Sequence, residues 1–72
     1  MQSLQWEAFV DALAELPPKQ RDVFVKHEME GMSFEDIARE SGEKINTLLS
    51  RKRYAVLALR KMLAPYQEDW RE

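Results

Sequence analysis

Seventy-two residues make one domain, near the lower limit at which a chain buries enough apolar surface to fold without staples, and the absence of cysteine excludes disulfides and any thiolate metal site. No apolar run approaches the roughly 18 residues of a membrane span and no signal-peptide pattern opens the chain, so a soluble, cytoplasmic protein with no membrane partner is expected. The net charge of -2 hides a division along the chain: residues 1–43 carry ten acids and four bases, residues 44–61 six bases and no acid, and residues 62–72 three acids and one base.

Ser3 can cap a first helix, over about residues 4–16, in which Leu4, Trp6, Phe9, Val10, Leu13 and Leu16 form one apolar side while Glu7, Asp11 and Glu15 face water. Pro17 stops it. Pro18 stands in the first turn of a second helix, about residues 18–30, which buries Val23 and Phe24 with His27 beside them and ends at Gly31, where positive φ is expected. Ser33 is the N-cap of a short third helix, 34–41, with Asp36 in a capping-box-like position and Phe34, Ile37 and Ala38 on one apolar side. That helix ends at Ser41 and Gly42.

A long fourth helix follows, over about residues 44–64 and closed by Pro65. Its apolar stripe is Ile45, Leu48, Leu49, Ala55, Val56, Leu59, Met62 and Leu63, interrupted by Lys52, which must snorkel out or pair with an acid. The remaining methionines and the aromatics are read as core. The tail, 65–72, carries two aromatics, and Trp70 either folds back onto the bundle or frays. The fold class is therefore all-α: a small four-helix bundle in a single domain, 1–72, containing a helix-turn-helix without a wing.

At about 100° per residue, the side of the long helix opposite its stripe centres on Ser50, with Asn46, Thr47, Tyr54 and Lys61 around it and Arg51 and Arg53 on the flanks. Small polar, amide, aromatic and guanidinium groups edged by cations suit base-edge readout framed by phosphate contacts. Leu57 is an apolar residue on this same outward face, either covered by the tail or joined with Tyr54 in a protein contact. One histidine and scattered carboxylates give no metal or nucleophile constellation, and there is no glycine-rich phosphate loop, so no cofactor and no enzyme activity is expected. His27 reads as a packed or surface side chain, and Glu35, Asp36 and Glu40 as capping and solvated face.

Taken together, Leu16-Pro17, Arg21, Val23-Phe24, Glu30-Gly31, Ser33 to Ala38, Gly42, Thr47-Leu48, Ser50-Arg51, Ala55 and Leu59-Arg60 fall in an order that resembles region 4 of the sigma-70 family of bacterial sigma factors, closest to the extracytoplasmic-function type. The resemblance covers residues 13–63. It implies a domain that recognises the minus-35 element of double-stranded promoter DNA through the second helix of the motif and docks on the β flap of RNA polymerase, with an anti-sigma protein as a further expected partner. Asn46, Thr47, Ser50 and Arg53 then face bases or nearby phosphates, Arg51 faces the backbone, and Tyr54 completes the DNA-binding set.

Several residues depart from the family pattern. Asn46 stands where glycine is usual, Leu49 where a basic or polar residue is common, and Lys52 where an apolar one is. Tyr54 and Val56 replace two arginines, and His27 and Phe34 replace an arginine and a tyrosine. Because phosphate neutralisation supplies most sequence-independent affinity, these losses imply weak DNA binding by the domain alone. Two other readings share the helix-turn-helix: the output domain of a LuxR-type regulator, against which the first helix and Leu16-Pro17 speak, and a sigma-like protein-interaction module that no longer reads DNA.

Overall fold

Two prolines in succession divide the N-terminal half of the chain. In the computed structural model, which describes residues 4 to 67, α1 runs Leu4–Glu15 and α2 starts at Pro18, where the missing amide hydrogen takes nothing from the helical ladder. Helix α1 ends without a basic residue in its last turn, and a side chain from the next helix serves its end instead. Arg21 donates from Nη1 to the carbonyls of Ala14 and Leu16, at 3.3 and 3.1 Å, supplying donors to groups the helix leaves open.

The second helix is not one uniform element to Glu30. Regular α2 is Pro18–Phe24, and it widens into a π-helical turn over Val25–Met29 before Gly31 turns the chain at φ 75°. The amide of Glu30 bonds the carbonyl of Val25 (3.0 Å), and that of Met32 reaches back to Lys26 (2.9 Å), one residue wider than the usual helix-ending bond. No proline or glycine within 19–30 signals this widening; beyond it His27 and Glu28 both reach Lys52 of the long helix.

Ser33 caps α3, Phe34–Ser41, as its side chain accepts from the amide of Asp36 at 3.0 Å, while the Asp36 carboxylate pairs with Arg39 and completes no reciprocal box. Gly42, at φ 79°, ends the helix with its amide on the Ala38 carbonyl. Helix α4 then runs Ile45–Gln67. It passes through Pro65, which was expected to close it. So near the C-terminus proline forfeits one backbone bond, and its fixed φ of about -65° is itself helical.

All three shorter helices pack on α4, in two apolar clusters. Ala12, Leu16, Phe24, Ala55, Leu59 and Leu63 join α1 and α2 to the C-terminal half of α4, with the rings of Phe9 and Phe24 6.2 Å apart. Val23, Ile37 and Leu48 join α2 and α3 to its N-terminal half, with Met32, Phe34 and Ala38 around them. Among the described residues there is no strand, and no helix is long and apolar enough to cross a membrane.

Several residues expected inside lie outside. Trp6 and Val10 are exposed, because the buried side of α1 is turned toward Ala12 and Leu16; Trp6 rests on Phe9, its ring 5.7 Å away. Met29 is exposed as well, since the chain leaves the bundle at the π turn. Ile45 and Leu49 stand half out of the core on α4, where Leu48 alone of the first turns is buried. The cap expected of Ser3, the Leu4 side chain, the placing of Trp70 and the tail's cover over Leu57 fall outside the described residues.

Candidate nucleic-acid interface

The turn at Gly42 aims the start of α4 away from α3, and the first turns of α4 lie over Ile37 through Leu48. With that residue pinned, the outward face is determined. Asn46, Ser50, Arg53 and Tyr54 are exposed, Tyr54 at 60 %, while Thr47 and Arg51 are half-buried at one edge. All six residues of the expected set therefore sit along one exposed side and its margin over two turns and a half. Leu57 lies on the same side one turn further on, exposed.

Two cations of this helix, Arg51 at the margin of the face and Lys52 on the core stripe, are already engaged. Arg51 pairs with Glu43 across the turn, Nη1 to Oε2 at 3.4 Å, beside a groove of about 640 Å³ whose walls include Arg21, Asp22 and Ser41. Lys52, whose side chain is only 14 % exposed, pairs with Glu28 at 2.7 Å. Its ammonium also lies 2.7 Å from Nδ1 of His27, a ring nitrogen with the lone pair to accept from it. His27 in turn stacks on Phe34 with centroids 4.0 Å apart, and the rings of Phe24 and Phe34 lie 6.0 and 5.7 Å from the ammonium. A cation on the core stripe is thus held by an acid, an imidazole and two aromatic faces.

Two of these elements are also tied away from α4. Lys26 bridges Glu40 at 2.6 Å and Asp22 at 3.4 Å, joining α3 to the π turn, and its pKa is raised first by the hydrogen bond to Glu40. The hydrogen bond from Lys52, then its charge, holds the Glu28 carboxyl below its ordinary value of 4.5. A depressed folded pKa means a contribution to stability that is complete above the unfolded value and is lost as pH falls through the folded one. Thermal melts of the parent and Glu28→Gln therefore differ most above pH 4.5 and converge in stronger acid. Parallel curves across that range would remove Glu28 from the stabilising pairs.

Comparison with known proteins bears on what this face is for. No curated protein and no solved structure matches the chain. The profile of one family, described as sigma-70, region 4, matches residues 6–62, more than three quarters of the sequence. The chain belongs to the sigma-70 region 4 family. Domains of this family are non-enzymatic and generally bind the minus-35 element and RNA polymerase.

In this region 4 domain the basic segment 44–61 is less free than its composition suggests. Of its six cations, Arg51 and Lys52 are neutralised from within, which leaves Lys44, Arg53, Arg60 and Lys61 without an ion pair among the described residues. Sequence reasoning did not reach Glu43 and Glu28 as the partners. Glu43 lies eight residues before Arg51 on the far side of a helix start, and Glu28 sits in the π turn, 24 residues before Lys52; the one readable sign was a lysine on an apolar stripe, which had to snorkel out or pair with an acid.

Proposed function

We propose that this chain is the minus-35-reading and polymerase-docking part of a sigma factor of the extracytoplasmic-function type, working in the cytoplasm. Its α4 enters the major groove by the N-terminal half, with Asn46, Thr47, Ser50 and Arg53 toward bases or nearby phosphates, Tyr54 at the rim and Arg51 toward the backbone. The observation that carries this reading is the exposed row Asn46, Ser50 and Arg53 on a helix whose whole segment 44–61 contains no acid. The acids are concentrated in residues 1–43, so a duplex is attracted to one side of the molecule and repelled from the rest. Docking on the β flap, and capture by an anti-sigma protein, belong to the same proposal.

The test is salt dependence. The isolated chain binds minus-35-like duplexes weakly and loses affinity as salt rises; Arg53→Ala lowers the slope of log K against log salt by about 1, the release expected for one phosphate contact. A slope that Arg53→Ala leaves unchanged, or binding indifferent to salt, counts against the helix as the docking element.

A second reading has an observation of its own. Tyr54 and Leu57 expose a large aromatic and a large aliphatic group side by side on the outer face, and two of the basic side chains are spent internally. That combination suits a protein-interaction module that docks on polymerase, an anti-sigma protein or itself without reading DNA.

A further inference from the structure

Leu49 is 45 % exposed, and Ile45 one turn before it 39 %, although both fall on the stripe whose other members make the core. Scattered apolar residues on a surface carry no message by themselves. The surroundings of this one do. On a helix, Leu49 has Asn46 three residues behind it and Arg53 four residues ahead on the same edge, both exposed, and Arg53 has no ion pair among the described residues. The exposed leucine is therefore embedded between an amide and a guanidinium.

This arrangement discriminates between kinds of partner. A dry apolar protein surface laid over Leu49 buries the Asn46 amide and the Arg53 guanidinium with nothing to bond, and stranded polar and charged groups are costly. A basic segment without one acid also has no charge match in such a surface. The major groove of a duplex supplies both requirements at once: acceptor edges and phosphates for the amide and the guanidinium, and among its base edges one exposed apolar group, the C5-methyl of thymine.

We propose that Leu49 is a specificity-determining residue that reads a thymine methyl group, with Ile45 extending the same apolar edge toward the helix start. The proposal rests on the promoter-reading function above and adds to it a chemical criterion: a base position at which the methyl group alone is recognised. It also gives a use to the place where the family more often carries a basic or polar residue, since a contact of that kind has been exchanged for one that excludes water from a methyl.

The experiment uses the 72-residue chain. Duplexes that bind it are selected from a random library at low salt, and each thymine of the selected site is then replaced in turn by deoxyuridine, which differs by the methyl alone. The parent loses about fourfold in affinity at one position, the loss expected for one apolar carbon no longer buried. Leu49→Ala, which melts near the parent because the side chain is half outside the core, binds the thymine duplex weaker by at least that factor and no longer distinguishes thymine from deoxyuridine. Leu49→Gln, of similar length, loses the distinction too. Selective binding by the parent with indifference to deoxyuridine at every position overturns the proposal and leaves promoter reading intact. So does Leu49→Ala keeping the thymine preference, or losing polymerase binding while its DNA selection is unchanged, which makes the leucine a protein contact. Failure of the parent to select any duplex, both alone and fused to a promoter-melting domain, overturns promoter reading itself, and this proposal with it.

Discussion

Ile37→Ala is expected to lose about 2–5 kcal/mol of stability, the range for truncating a large aliphatic side chain in a packed core. Ile37 is fully buried and meets Val23 and Leu48, the only other buried residues of its cluster. A domain of this size has a total stability of only about 5 kcal/mol, so the variant populates the unfolded chain substantially at room temperature. Leu57→Ala, at an exposed position on the same long helix, changes stability by no more than about 0.5 kcal/mol. Urea melts followed by circular dichroism make the comparison. An Ile37→Ala protein as stable as the parent would take the residue out of the core and, with it, the packing that orients the start of α4.

The second large effect concerns selection of promoters. Asn46, Ser50 and Arg53 are exposed together on the side of α4 away from the core. Losing two base contacts at about 1 kcal/mol or more each reduces discrimination by about 30-fold or more. Because the isolated domain is expected to bind weakly, the measurement belongs in a fusion to a promoter-melting domain, or on polymerase, where a short flexible tether raises the effective concentration to about millimolar. A triple alanine variant at these positions is expected to bind the β flap as the parent does and to lose the choice of minus-35 sequence. Equal promoter choice by variant and parent, with flap binding preserved in both, transfers the function to the protein-interaction reading and to Tyr54 and Leu57.

The helices were legible where local chemistry acts alone. Pro18 at a helix start, Ser33 as a cap and the positive φ of Gly31 are decided within three or four residues, and each is found in the structure. The buried stripe of α4 was legible in its middle and not at its start. Periodicity assigns Ile45 and Leu49 to the inside, but short α3 covers only the arc around Leu48, so apolar residues at the edge of the stripe have nothing to pack against. The π turn left no sign in 19–30; its His27 meets Lys52 and Phe34, residues too far along the chain for local pattern to connect with it.

The same limit applied to charge. Composition separates acids from bases along the chain, yet the pairing of Arg51 with Glu43 and of Lys52 with Glu28 depends on the turn at Gly42 and the bend at Gly31, which bring distant residues face to face. The outward placing of Asn46, Ser50, Arg53 and Tyr54 could be read beforehand, since once one side of a helix is buried the opposite side is fixed by its pitch. The roles of those side chains depend on a duplex and are carried by the proposal above.

Val23 and Phe24, neighbours in sequence, serve different clusters: Val23 the one under the start of α4, Phe24 the one under its end. Helix α2 is therefore the clasp between two packing units that meet along a single spine. Detaching α1 removes Ala12 and Leu16 from one unit and nothing from the other, so the helix-turn-helix keeps its own core through such an opening. A displacement of the first helix thus leaves the packing beneath Asn46, Ser50 and Arg53 in place, so the two ends of the spine can loosen one at a time.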